Sequence, residues 1–192
     1  MALARLGHRV IGVDASTEAI AHARRHARGE GLDVEFVHGD MRSPPAGLAG
    51  LDAAICLGNS LAYLDAQALD SFARDLARLL VPGGGVMLDD GFAAESILPS
   101  FDDAERRMSA GGITVRSRNR YDAARGLIVS RYVFQRGAEE FEGEAVHHVL
   151  PACRIVGALD AAGFREVRLH DGTSDAGYRP ASPRLVVTAR RP

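Results

Sequence analysis

Residues 51–63 read LDAAICLGNSLAY, and the fold turns on how that stretch is parsed. Residues 53–57 form a short apolar run without a charge, the length of one strand buried on both faces of a sheet. The run ends in Gly58, Asn59 and Ser60, small polar residues suited to a tight turn and not to a core strand. In an open α/β sheet, ligands lie outside the carboxyl ends of the strands, so a buried strand entering such a turn marks the first place to look for a site. Three similar events flank it: IGVD at 11–14, VEFVHGD at 34–40 and VMLDD at 86–90.

The chain has 192 residues, of which 46 % are hydrophobic, enough for a core of ordinary size. A formal net charge of -2 gives no reason to expect nucleic acid or an anionic membrane as partner. All 23 basic residues are arginine, which excludes Schiff-base and lysine general-base chemistry. Cys56 and Cys153 are too few and too scattered for a disulfide framework or a metal cluster, and Cys56 reads as a small buried hydrophobe. With no apolar run near 18 residues and no signal-peptide pattern at MALARLGHRV, the expected location is cytoplasmic.

Residues 1–6 read as the tail of a helix stopped by Gly7. A strand at 10–13 ends in Asp14, and Ser16 caps a helix predicted over 17–29, with Ile20 as its apolar anchor. A strand follows at 34–37, then Gly39-Asp40 and a turn at Pro44-Pro45. Asp65 caps a helix over 66–80 whose Leu69, Phe72, Leu76, Leu79 and Leu80 keep helical spacing. Pro82 and three glycines then reset the chain for a strand at 86–88. Strand and helix alternating at this rhythm give βαβ units and a mostly parallel sheet.

After Asp90 the pattern changes. A short helix interrupted near Pro99 is predicted within 97–108, then an antiparallel ribbon of strands at 112–121 and 127–136, with a third possible at 142–149. Pro151 opens a helix carrying Ile155, Leu159 and Ala162. The last strands, at 167–169 and 185–188, are separated by a polar loop at 171–183, and the final hairpin is expected to leave an antiparallel strand at the sheet edge. The organisation expected is one domain, 1–192, with 91–149 as an inserted cover region.

Asp14, at a strand's carboxyl end, suits two adjacent ribose hydroxyls, and Asp40 occupies the corresponding place one strand later, within reach of an exocyclic amine. Each acid alone also fits a cap or a turn. Together with Gly58-Asn59-Ser60 they point to a nucleoside-type ligand.

GHRVIGVDAS, VEFVHGDMR, DAAICLGNSLAYL and LLVPGGGVMLDD, taken in that order, resemble consecutive motifs of the class I S-adenosylmethionine-dependent methyltransferases. ICLGNSLAYL looks most like the glycine and sarcosine N-methyltransferase group and its small-molecule relatives. AAGFREVRLHDG and PRLVVTAR resemble the family's last helix and closing hairpin. The resemblance implies an α/β, Rossmann-like methyltransferase fold and S-adenosylmethionine as cofactor. Asp14 would hold the ribose hydroxyls and Ala15 would line the adenine. Asp40 would take the adenine amine, with Met41 packing on the ring. Leu57 and Gly58 would offer backbone groups to the methionine part, and Asn59 and Ser60 would fix the turn near the sulfonium.

The family's first strand and glycine-rich loop, D-x-G-x-G-x-G, belong before the helix that contains ALARLG, where this sequence begins. The expectation is therefore an N-terminally truncated fold or a misassigned start, and weak cofactor binding or none.

Methyl transfer from a sulfonium needs alignment and desolvation more than side-chain chemistry, but an amine or hydroxyl acceptor must lose a proton. Asp89, Asp90, Tyr63 and His148 are the candidate catalytic residues. Asp89 and Asp90 equally suit a turn or cap, Tyr63 suits packing beneath the helix at 66–80, and only one of His147 and His148 can face inward. Arg116, Arg118, Arg120 and Arg131 suit either an anion or a solvated strand face. No metal site is expected. The partner expected is a small-molecule methyl acceptor, an amine first, and a homodimer is possible. Two rivals are an NAD-dependent oxidoreductase, disfavoured by the absence of lysine, and a non-catalytic fragment acting as a dimerising or regulatory module.

Overall fold

A computed structural model describes residues 1–174 and 176–192. Residue 175, within the predicted loop at 171–183, lies outside the described residues. The chain divides into two compact units, Met1–Gly50 and Leu51–Pro192.

In the first unit, a short helix α1 (Ala2–Arg5) precedes strand β1 (Val10–Asp14), helix α2 (Thr17–Gly29) and strand β2 (Val34–His38). This is a βαβ unit: β1 and β2 pair in parallel from Val10 opposite Val34 to Asp14 opposite His38. The Ser16 hydroxyl caps α2 by accepting from the Ala19 amide at 3.0 Å, and Ile20 and Ala27 bury the inner stripe. At the other end the Leu32 amide returns to the Ala27 carbonyl at 2.9 Å, closing the helix.

The second unit begins with strand β3 (Leu51–Cys56), a turn of 3₁₀ helix (Ser60–Tyr63), helix α3 (Ala66–Leu79) and strand β4 (Leu80–Asp90). Helix α4 (Ala94–Ile97) leads to four strands, β5 (Arg106–Ala110), β6 (Ile113–Asp122), β7 (Leu127–Arg136) and β8 (Glu139–His148). Helix α5 (Ala152–Ala161) and strands β9 (Arg165–His170) and β10 (Leu185–Arg190) complete it. The main sheet runs β3-β4-β10-β9, and β5-β6-β7-β8 form a separate antiparallel sheet. Asp65 caps α3 through the Ala68 amide at 2.8 Å. The apolar faces of α3 (Leu69, Phe72, Leu76) and α5 (Ile155, Leu159) are buried, together with Val86 and Leu88 of β4 and Leu185, Val187 and Ala189 of β10. Arg154 ties α5 to α3, donating to the Ala66 carbonyl at 2.7 Å and to Asp70 at 2.6 Å.

Several expectations are corrected. The stretch at 53–57 is not a strand buried on both faces: among the described residues β3 pairs with β4 alone, and Ile55 is 45 % exposed. The antiparallel strand β10 does not lie at the edge. It sits between β4 and β9, so each of its residues from Leu185 to Arg190 faces β4, and the edge falls to β9. The Pro82–glycine run is extended and continues β4, because the Gly83 amide donates to Arg191 and the Arg191 amide to Gly84, both at 2.8 Å. Residues 106–108, the end of the stretch predicted to hold a short helix, belong to β5. Arg106, Arg107 and Met108 pair with Ser117, Arg116 and Val115, and the local propensity yields to that pairing.

Ile155 is fully buried where α5 meets the sheet, so Ile155→Ala is expected to cost roughly 2–5 kcal/mol in urea denaturation, against little change for exposed Cys153→Ala.

Candidate active site

Within Met1–Gly50, the parallel register puts the ends of β1 and β2 on one rim. Asp14 pairs with His38, the Gly39 amide donates to the Asp14 carbonyl at 3.0 Å, and Asp40 follows at once. Gly39 has to be small: a β-carbon there would stand 2.8 Å from Pro45 and 3.3 Å from Val13. The close approach folds the Pro44-Pro45 turn over β1 and sets the direction in which the chain leaves through Asp40.

Asp14 is exposed, and its Oδ1 accepts from the Ser16 amide at 2.8 Å, which orients the carboxylate. Its Oδ2 has no hydrogen-bond partner among the described residues. Ala15 is exposed beside it, and its carbonyl accepts from the His38 ring at 3.0 Å. Asp40 is gripped by Arg42, whose Nε lies 3.0 Å from both carboxylate oxygens and whose amide donates at 2.8 Å. Those hydrogen bonds hold the Asp40 carboxyl below its usual range. Met41, between them, is half-buried.

Within Leu51–Pro192, β3 and β4 are parallel with Cys56 opposite Leu88, so Gly58-Asn59 and Asp89-Asp90 share a second rim. Asn59 is left-handed at φ +67, a conformation asparagine tolerates better than most residues. Its side chain fixes the turn. Oδ1 accepts from the Gly91 amide at 2.9 Å and from Arg184 at 2.8 Å. Arg184 grips Asp89 with two donors, Nε at 2.6 Å and Nη2 at 2.7 Å, and the Gly58 amide donates to the same carboxylate at 3.2 Å. Gly91 leaves room for this, since a β-carbon would lie 3.1 Å from the Asn59 oxygen. Leu57 is exposed, and the Ser60 hydroxyl donates back to the Leu57 carbonyl at 3.1 Å.

The two neighbouring acids are driven apart. Burial raises Asp89, but the Arg184 hydrogen bonds, the Gly58 amide and the Arg184 charge outweigh it and hold the carboxyl below its usual range. Asp90 is 2 % exposed, and burial, only partly offset by the Phe92 amide at 2.8 Å, pushes it up to about 6. Burial, then the charges of Asp90 and Asp89, push the Cys56 thiol up to about 11, which leaves it a protonated bystander.

Of the histidine pair ending β8, His147 is the inward one. It is 4 % exposed, stacked on Phe92 with ring centres 4.1 Å apart, and 5.1 Å from Tyr63; His148 is half-buried. The His147 Nδ1 is buried and has no hydrogen-bond partner among the described residues. Burial and the neighbouring His148 lower its affinity for a proton, so the ring is neutral at pH 7. Tyr63 is half exposed at the rim and does not pack beneath α3.

Sequence reasoning missed Arg184, Phe92 and the Ser96–Tyr178 hydroxyl pair at 2.9 Å. Arg184 could have been found from topology. An antiparallel strand beside β4 starts at the rim where β4 ends, which places the residue before Leu185 next to Asp89. Among the described residues, no group of three or more His, Cys, Asp or Glu is arranged to hold a metal. No helix among them is long and apolar enough to cross a membrane.

Residues 1–84 match a family model described as a methyltransferase domain. No curated protein matches. Among solved structures, the CcbJ methyltransferase of Streptomyces caelestis superposes with a TM-score of 0.83 at 17 % identity, over 98 % of this chain and 76 % of that one. An S-adenosylmethionine-dependent methyltransferase of Clostridium acetobutylicum gives 0.82 at 15 % identity, over 95 % and 75 %. The sugar N-methyltransferase KedS8 of a Streptoalloteichus species gives 0.70 at 25 % identity, over 94 % and 70 %. The fold is the Rossmann-like α/β fold of the S-adenosylmethionine-dependent methyltransferases.

The acids differ in their pH signature. Asp90 has a raised folded-state pKa, so the unfolded chain releases its proton first, and stability falls as pH rises from about 4 to about 6. Asp90→Asn keeps the acceptor for the Phe92 amide and removes the charge. In urea titrations it is expected to gain about 2–3 kcal/mol on the parent between pH 4 and pH 7.

Proposed function

We propose that this chain transfers the methyl group of S-adenosylmethionine to a small molecule bearing an amine. The observation that carries the reading is the pairing of Asp14 and Asp40 on the carboxyl ends of adjacent parallel strands, with one Asp14 oxygen oriented by the Ser16 amide and the other unengaged among the described residues. Two adjacent ribose hydroxyls are the partners such a carboxylate suits. The cofactor supplies a methyl group already activated on a sulfonium. Everything else falls to the protein.

In the first unit, Asp14 binds the ribose, Ala15 and Met41 border the adenine, and Asp40 accepts from its amine. Asp40 keeps lone pairs for this while bonded to Arg42, because an ionised carboxylate offers about four acceptor sites. In the second unit, Leu57 and Gly58 present backbone groups at a turn that Asn59 and Ser60 hold rigid, with Arg184 and Asp89 bracing it from behind. Phe92 and Tyr63 form aromatic walls at the same rim and exclude water from an acceptor placed there.

An amine that has gained a methyl group carries a proton it must lose. His147 is neutral at neutral pH, lies against Phe92 and beside Tyr63, and has no internal hydrogen bond occupying its ring, so it is the group assigned to take that proton. Asp89, neutralised by Arg184, is assigned to positioning. An amine acceptor also agrees with the name of one structural neighbour, a sugar N-methyltransferase.

Calorimetry with S-adenosylhomocysteine tests the cofactor assignment. Binding is expected to be competed by adenosine and to fall about tenfold or more in Asp14→Ala. Binding untouched by Asp14→Ala, or none by either ligand, would contradict it. With an amine acceptor in hand, His147→Asn is expected to lower kcat by about 10²–10⁴ and flatten its acid limb, leaving cofactor affinity unchanged.

A further inference from the structure

The four-stranded ribbon has two faces with different chemistry. Ile128, Ser130 and His147 point to one side. On the other, Arg118 of β6 stands directly opposite Arg131 of β7, and Arg131 opposite Glu144 of β8. In the next row on that face, Arg120 stands opposite Val129 and Val129 opposite Val146. Like charges set directly opposite on neighbouring strands repel.

Glu144 relieves one member of the pair, accepting from Arg131 at 3.2 Å. Arg118 and Arg120 have no acidic partner among the described residues. Arg125, from the β6–β7 turn, is likewise without one and closes the end of the group. All four of these arginines are exposed. Arg118, Arg120, Arg125 and Arg131 line a common recess of about 470 Å³ whose floor is Leu127, Val129 and Val146.

Two carboxylates, Asp103 and Glu144, share that lining with the four arginines, which leaves a surplus of two positive charges on a protein whose formal net charge is -2. The volume falls within the roughly 300–1,000 Å³ of small-molecule sites. The apolar floor strengthens charge attraction by keeping water from one side.

We propose that this recess binds a phosphorylated small molecule through its phosphate or diphosphate group, at a site separate from the Tyr63, Phe92 and His147 rim. Guanidinium forks match phosphoryl oxygens in pairs, and each charge-assisted bond is stronger than a neutral one. Three guanidiniums without acidic partners, carried on one strand and its turn, outnumber what a single carboxylate can engage. The apolar floor suits the organic remainder of the ligand.

The test is calorimetry of the full chain at low ionic strength with inorganic pyrophosphate, and with malonate as a dicarboxylate control. Pyrophosphate is expected to bind at one site per chain, and more tightly than malonate. Arg118→Ala and Arg120→Ala are each expected to weaken it about tenfold, and Arg28→Ala, on exposed α2, to leave it unchanged. Because removing one of two opposed arginines relieves repulsion, Arg118→Ala is also expected to keep or raise the melting temperature. Glu144→Gln frees Arg131 and is expected to tighten pyrophosphate, which tests the site without deleting an arginine. No binding, binding weakened equally by Arg28→Ala, or malonate binding as tightly as pyrophosphate would overturn the proposal. None of these readouts depends on the cofactor, so the methyl-transfer reading can fail or stand independently.

Discussion

The second unit's rim depends on one ion pair. Arg184 holds both oxygens of Asp89 and, with the same guanidinium, the side chain of Asn59. Three segments far apart in sequence meet there: the turn after β3, the end of β4 and the residue before β10. Without that grip, Asn59 would have less reason to hold a left-handed backbone, and the Gly58 amide would lose its acceptor. The pair is part-buried, so its attraction is less screened than that of a surface bridge, and loss of either partner would leave a charge poorly solvated. It also explains how adjacent acids acquire opposite tendencies. Asp89 is kept ionised by its partner, whereas Asp90, one residue on and facing the core, is held toward its neutral form.

The first unit works by a simpler device. Parallel pairing of β1 and β2 in register delivers Asp14 and Asp40 to one rim, and the α2 cap turns the first of them through the Ser16 amide. The Asp14 carboxylate faces solvent with an oxygen to spare. The group proposed to take the acceptor's proton, His147, lies in the second unit, where burial suppresses its protonation.

The βαβ rhythm was legible because it rests on local signals: Ser16 and Asp65 as caps, the Leu69-Phe72-Leu76 stripe, and apolar runs ending in acids. Asp14, Asp40 and the Gly58-Asn59-Ser60 turn follow from the same signals, since the carboxyl end of a strand is defined by the strand itself. The rest depends on long-range pairing. β3 reads as a core strand from its composition, yet it lies at the edge of its sheet. β10 carries no mark that it inserts between β4 and β9, so the arrival of Arg184 beside Asp89 was invisible, as was the stacking of Phe92 on His147. Which of two consecutive histidines faces inward is a matter of strand phase. That phase is set by Ile128 opposite His147 across the ribbon, a register no single strand encodes.

The central proposal is that adenosyl recognition in the first unit uses the strand ends at Asp14 and Asp40. Nuclear magnetic resonance of the ¹⁵N-labelled chain, titrated with S-adenosylhomocysteine, addresses it residue by residue. Concerted shifts of the Asp14, Ala15, Asp40 and Met41 amides along one saturation curve are the predicted result. Shifts confined to other parts of the chain, or none at saturating ligand, would contradict it.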